Sequence, residues 1–262
     1  MVPEFLIRQW SDNAPWKTME QVEQDLILCK SLTEIFKDEF LASNLAFRGG
    51  TALHKLFLYP QPRYSEDIDL VQIKAEPISN VLDRLRKVLS FLGKARIKQK
   101  ANNNTMIFRV DSEIPPIISL RIKIETNCRE HFSVLGYNQF KFDVDSDWYK
   151  DECIITTYQL EELLGTKLRA LYQRNKGRDL FDLYKALSSS KLDCQKIIVC
   201  YKKYMEFVVD TPPSQKEFIM NMDLKMQDEF FLSDTNNLLR IGEKFDPAEA
   251  YELVKRELLE KL

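Results

Sequence analysis

Between Trp16 and Leu41 the apolar residues Val22, Leu26, Cys29, Leu32, Phe36 and Phe40 recur every three or four positions, with Glu, Lys and Asp between them. That spacing predicts one amphipathic helix. The rhythm then shortens. NLAFRGG (44–50) is an apolar run stopped by two glycines and reads as a short strand, TALHKLFLY (51–59) reads as a helix leaving the turn, and Pro60 and Pro62 close it. DIDLVQI (67–73) alternates as a half-buried strand does.

ISNVLDRLRKVLSFLG (78–93) is helical in pattern, and TMIFRV (105–110) and IISLRIKIETN (117–127) are two strands joined by a loop holding Pro115 and Pro116. In the second strand the period of two puts Ser119, Arg121, Lys123 and Glu125 on one face and Leu120, Ile122 and Ile124 on the other. Beyond Thr156 the texture is helical: YQLEELLGTKLRALYQR (158–174), DLFDLYKALSSS (179–190), DCQKIIVCYKKYMEF (193–207) and PAEAYELVKRELLEKL (247–262). The expected organisation is a catalytic half of mixed strands and helices over residues 1–155 and a helical half over residues 156–262, without internal repeats.

Composition narrows the class. A chain of 262 residues, 44% hydrophobic and 30% charged, can bury a sizeable core. The net charge of -2 advertises no uniformly basic surface, so contact with nucleic acid would need a local patch. The five cysteines, Cys29, Cys128, Cys153, Cys194 and Cys200, are scattered and never in C-x-x-C spacing, which argues against a disulfide framework or zinc ribbon and for a reducing cytoplasm. The first residues lack the basic and apolar regions of a secretion signal, and no apolar run approaches the ~18 residues of a membrane span. With only His54 and His131 present, a histidine zinc site or a histidine-dependent triad has little material.

The candidate chemistry lies between Phe47 and Ile73. Gly49 and Gly50, between strand and helix, let the backbone turn tightly and bring its N–H groups against a ligand, while the helix starting at Thr51 points its positive end at the same spot. In the following strand Asp67 and Asp69 share a face and Ile68 goes to the core. Neighbouring carboxylates repel unless a cation sits between them, and a hard Mg²⁺ that also takes phosphate oxygens is the natural partner. Alone, the glycines could be a plain tight turn and the aspartates a solvated pair. Their conjunction places a phosphate cradle beside a metal clamp, for which Glu125 is the candidate third carboxylate. Arg48, Lys55, Arg63 and Ser65 can all reach phosphate oxygens, with Arg63 and Ser65 first in rank because RYSED directly precedes the clamp. His54 reads as a packing or polar surface residue.

FRGGTALHKLF, RYSEDIDL, LRIKIE and LLGTKLRALYQRNKGRDLFDLYKAL resemble the AbiEii/AbiGii-type toxins of the nucleotidyltransferase (DNA polymerase β-like) superfamily, over about residues 47–187. The resemblance implies an α+β fold with a mixed sheet and flanking helices, followed by a mainly helical half. It also implies transfer of a nucleotide from an NTP with Mg²⁺, or Mn²⁺ in its place, to an acceptor, for characterised relatives the 3′ end of tRNA, under the control of a cognate antitoxin. Gly49, Gly50 and Thr51 match the family's first motif, Asp67 and Asp69 the second, Lys167 the third and Asp179 the fourth.

Lys167 stands out in the pattern as well. It falls on the apolar stripe of Leu160, Leu163, Leu164, Leu168 and Leu171, where a lysine must either snorkel out or meet an anion. The expected roles are triphosphate binding for Lys167 and orientation of that lysine, or of an acceptor-side group, for Asp179. Transfer to a protein or small molecule would use the same clamp. A nucleotide-binding module that no longer reacts would be expected to have lost a carboxylate.

Overall fold

The computed structural model describes residues 2–100 and 102–262. Its centre is one seven-stranded mixed sheet in the order β3-β4-β5-β2-β1-β7-β6, formed by β1 (Leu45–Arg48), β2 (Asp67–Gln72), β3 (Arg96–Lys100), β4 (Asn103–Asp111), β5 (Ser119–Asn127), β6 (Tyr137–Asp145) and β7 (Lys150–Tyr158). β1 is antiparallel to β2 and parallel to β7, and β2 is parallel to β5. The remaining pairs, β3 with β4, β4 with β5 and β6 with β7, are antiparallel.

The N-terminal helices are α1 (Glu4–Trp10), α2 (Met19–Lys37) and α3 (Glu39–Asn44); α4 (Gly49–Leu56) follows β1, and α5 (Ser79–Val88) follows β2. After β7 come α6 (Leu160–Gln173), α7 (Gly177–Ser189), α8 (Cys194–Glu206), α9 (Gln215–Lys225), α10 (Glu229–Ser233) and α11 (Pro247–Glu257). The strand β7 runs just past Ile155 before the chain turns helical.

The single helix expected over 16–41 is two. Thr18 caps α2 through a capping box with Gln21, and Asp38 ends it with an extended backbone (ψ 114°), then accepts the Leu41 N–H as the N-cap of α3. An N-cap satisfies donors that would otherwise be orphaned, so an aspartate inside an apolar rhythm can restart a helix at a new angle. Strands β3, β6 and β7 and helices α1, α9 and α10 also lie outside the expected set. In β6, Phe140, Phe142 and Val144 do alternate with Lys141 and Asp143, but of the inward residues only Val144 is fully buried, so the strand is weakly held to the core.

Two apolar clusters hold the fold. One joins α2 to the inner face of the sheet through Leu26, Ile35, Phe47, Ile68, Ile122 and Ile124, and the other joins the helices after β7 through Leu164, Leu168, Leu171, Leu180 and Val254. Leu53 of α4 belongs to the second cluster while Ala52 belongs to the first. Each such leucine contributes on the order of 2 kcal/mol on burial. The helix that follows the glycine turn is therefore wedged between both bodies of packing, which fixes the turn relative to the sheet.

Candidate active site

Strand pairing assembles the carboxylates. Ile68 is fully buried, so Asp67 and Asp69 turn to the opposite face. Across the parallel pair Asp69 lies in register with Glu125, and Asp67 with Lys123. On the other side Asp69 is in register with Arg48. Burial, then the charges of Asp67 and Glu125, raise the Asp69 carboxyl to about 6. The Lys123 ammonium sits among these acids, 2.7 Å from Asp67 Oδ2 and 3.4 Å from Glu125 Oε2. It is the cation that the repulsion requires, and its own pKa is raised by these partners against the cost of its burial.

The glycine turn closes over this cluster. Gly49 has φ +77°, and a Cβ there would meet Asp69 Oδ2 at 2.3 Å, so only a bare backbone can take this path. A Cβ on Gly50 would fill a space rimmed by Arg63 Nη2 at 2.8 Å, Ser65 Oγ at 3.4 Å and Lys167 Nζ at 3.7 Å. Thr51 is buried. Its hydroxyl donates to the Asp67 carbonyl and shares a 2.8 Å hydrogen bond with Ser65 Oγ, tying the turn to the D-x-D strand.

Lys167 comes from α6 and does turn inward. Its ammonium, 6% exposed as a residue, lies 3.1 Å from Asp179 Oδ1 and 3.0 Å from Asp182 Oδ2. Asp179 also receives Arg174 through Nε at 2.6 Å and Nη2 at 2.7 Å. Burial would raise the Asp179 carboxyl, but Lys167 and Arg174 outweigh it and hold the pKa below the usual range.

Asp182 was not anticipated from the sequence, and it organises the floor of the site. Besides Lys167 it accepts Arg63 Nε and Nη2, both at 2.7 Å, and its Oδ1 lies 2.8 Å from His54 Nε2. Burial opposes ionisation, yet Arg63 and Lys167 keep its pKa well below the ordinary value. The available signal was an acid on the buried stretch of α7 between Leu180, Phe181 and Leu183. His54 is not a surface residue. It is buried, and desolvation and the Arg63 charge lower its pKa to about 4, so it is neutral.

The other expected phosphate contacts divide. Arg63 also donates Nη1 to the Tyr64 carbonyl at 2.8 Å, which with Asp182 fixes the guanidinium beside Gly50 at the wall of the second cleft. Lys55 is turned away into a buried pair with Asp25 at 2.6 Å. Arg48 is held by Glu130 at 2.5 Å, and the same carboxylate holds Arg169 at 2.6 Å.

Two adjoining clefts open over the cluster. One of about 380 Å³ is lined by Arg48, Gly49, Glu125, Asn127, Thr166 and Arg169. The other, about 300 Å³, is lined by Ser65, Asp67, Arg121, Lys123, Lys176 and Arg178. Both are bounded by Gly50, Asp69, Lys167 and Arg174. Acids at the base and cations on the walls suit a polyphosphate with its counter-ion. Among the described residues no three ligating side chains are gathered closely enough to hold a metal ion as they stand, and Lys123 pairs with two of the three acids. Asp69 at the junction of the two clefts, with Glu125 on one side and Asp67 on the other, is nevertheless a donor set that fits a hard divalent cation.

The family model of the nucleotidyl transferase AbiEii toxins of type IV toxin–antitoxin systems matches residues 30–253, and the chain belongs to that family. Among solved structures, MenT4, a nucleotidyltransferase toxin from Mycobacterium tuberculosis, superposes with a TM-score of 0.72 at 16% identity, covering 100% of this chain and 91% of that one. A protein assigned as a nucleotidyltransferase from H. pylori gives 0.60 at 17% identity, covering 92% and 93%. At such identities the likeness speaks for the shared fold. No curated protein matches the sequence.

Proposed function

We propose that this AbiEii-family nucleotidyltransferase joins a nucleoside monophosphate from an NTP to the 3′ hydroxyl of an RNA, tRNA first among candidates, with Mg²⁺ held by Asp67, Asp69 and Glu125. The observation that carries the reading is the registry of Asp69 with Glu125 directly under the Gly49–Gly50 turn and within one cleft with Lys167. When bound, the cation neutralises charge on phosphate and acceptor oxygens. The protein's own groups do the rest. Lys167 and the open space at Gly50 receive the triphosphate, Ser65 offers a hydroxyl to it, and Arg63 and Asp182 hold that wall rigid. Arg174, anchored on Asp179, faces the same space and adds charge at the cleft mouth. Lys123, now paired with Asp67 and Glu125, would have to leave that place for a cation to be held there.

In the transfer the acceptor oxygen forms a bond to the α-phosphorus and the bond from that phosphorus to the β-phosphate bridging oxygen breaks. Pyrophosphate leaves, and the hydroxyl proton passes to a carboxylate of the cluster. A cognate antitoxin is the expected partner. Five free cysteines among the described residues favour a reducing cytoplasm, and among those residues no helix is long and apolar enough to cross a membrane.

The test is incubation of purified protein with total RNA and each labelled NTP in turn, with Mg²⁺ or with a chelator. Label should enter a tRNA-sized band with at least one NTP and should vanish on chelation. Label entering only protein or small molecules would overturn the RNA acceptor, and label independent of divalent cation would overturn the metal assignment.

A further inference from the structure

The sheet carries one feature that the catalytic cluster leaves unexplained. On β5 the face of Glu125 continues outward through Lys123 and Arg121, while Leu120, Ile122 and Ile124 go to the core. Register extends this face across the sheet: Arg121 lies opposite Arg109, Lys123 opposite Ile107, and Glu125 opposite Thr105 on β4. On the edge strand, Arg96 lies opposite Ile107, Lys98 opposite Thr105 and Lys100 opposite Asn103. Among the described residues of β3, β4 and β5, Asp111 is the single acid on that face besides Glu125.

Arg96, Lys98, Lys100, Arg109 and Arg121 are exposed. Among the described residues none of their side chains makes a hydrogen bond or ion pair, as the cleft residues Arg63, Lys167, Arg174 and Arg178 all do. Solvated lysines alone would be ordinary. Two arginines directly opposite each other on an antiparallel pair are not, since like charges there are destabilising, and an anion between them would relieve the repulsion. In a chain of net charge -2, this is the local basic patch that nucleic-acid binding would need.

We infer that the exposed face of β3, β4 and β5 is the docking track for the phosphodiester backbone of the acceptor RNA, single-stranded where it reaches the cleft. This rests on the RNA acceptor proposed above. A strand whose 3′ end sits at Asp69 and Glu125 leaves them along β5 past Lys123 and Arg121, which line the second cleft. Successive same-face residues on β5 are ~7 Å apart and neighbouring strands ~5 Å apart, so the cations continue outward without a gap wider than a side chain can span. Binding by backbone charge explains how a weakly acidic protein could hold RNA, and it leaves sequence choice to other groups.

The experiment measures anisotropy of a labelled single-stranded RNA against the full chain over a series of KCl concentrations. The Lys98→Gln, Lys100→Gln, Arg109→Gln triple variant is compared with a control triple, Lys202→Gln, Lys216→Gln, Lys244→Gln, at exposed positions on α8, on α9 and in the loop before α11. Losing three phosphate contacts should flatten the slope of log affinity against log salt by about 2, at ~0.7 per contact, whereas the control slope should stay unchanged. In the labelling assay the face variant should raise KM for RNA and leave KM for NTP alone. Absence of RNA binding by the wild-type chain, a face variant that binds as wild type, or a control that loses as much would overturn the track. Salt-dependent binding through this face without label transfer from any NTP would instead leave the track standing and sink the transferase reading.

Discussion

Asp182 grips Arg63 at two points, Oδ1 to Nε and Oδ2 to Nη2, each 2.7 Å, with both side chains almost wholly removed from solvent. The same carboxylate meets Lys167 at 3.0 Å. One acid therefore balances a guanidinium and an ammonium beneath the glycine turn. Removing it would strand the buried Arg63 guanidinium and leave Lys167 with Asp179 alone. Breaking a buried pair from one side typically costs ~3–5 kcal/mol, so Asp182→Asn, which keeps the shape, should lower unfolding free energy by about that much. Urea titration of the two proteins measures it, and a loss below ~1 kcal/mol would show that the cations find other partners.

Lys167 and Asp179 should behave as a unit. Lys167→Ala is expected to weaken NTP use strongly and Asp179→Ala to cut turnover, with the double variant far from the product of the two effects. Lys167→Arg should restore only part, because a planar fork does not replace a compact ammonium between two carboxylates. Transfer rates per folded molecule decide. A Lys167→Ala protein that is merely less stable, at unchanged rate, would reduce the lysine to packing.

Asp67→Asn and Asp69→Asn should each lower transfer by more than about a thousandfold, the scale of several kcal/mol of transition-state stabilisation. Asp69→Asn should also make the cation-free protein more stable at neutral pH. The folded carboxyl is raised to about 6, so its charge disfavours the folded state above that pH, and the penalty fades toward the unfolded value near ~4. Because the group is partly exposed to the cleft, the gain is on the order of 1–2 kcal/mol. Melting temperatures of variant and wild type should separate at pH 7 to 8 and converge below pH ~4. A variant less stable than wild type at neutral pH would contradict the repulsion argument.

His54 has the opposite sign. Its folded pKa, lowered to about 4, lies below the unfolded value of ~6.5. The unfolded chain therefore takes up the proton first, and stability falls as pH drops through that interval. His54→Gln, which can still hydrogen-bond Asp182, should flatten the loss between pH 6.5 and 4. Identical pH dependence in the two proteins would mean that other groups set the acid limb.

Gly49→Ala tests the turn itself. The added methyl meets Asp69 Oδ2 at 2.3 Å in a backbone of φ +77°, so both strain and the displaced carboxylate count against it. Activity should fall more steeply than stability. Full activity in the alanine variant would show that the turn can open without consequence for the acids.

The sequence alone determined which residues share a face, because that depends on local periodicity. Asp67 and Asp69 turn away from a buried Ile68, Glu125 sits on the polar face of its strand, and Lys167 points into the apolar stripe of α6. Adjacent glycines, likewise, mark a turn whatever surrounds them, and the motifs identified the family over most of the chain. The tertiary structure decided the partners. No local pattern specifies that Asp69 registers with Glu125 across a parallel pair, or that Lys123 fills the space between the acids. Nor does any pattern show that Arg63, ranked as a phosphate ligand beside the clamp, is claimed by a carboxylate 119 residues away. Hydrogen-bonding capacity is written in the residue type, but which donor meets which acceptor depends on long-range strand register and helix docking, and those are set by the burial of both apolar clusters together.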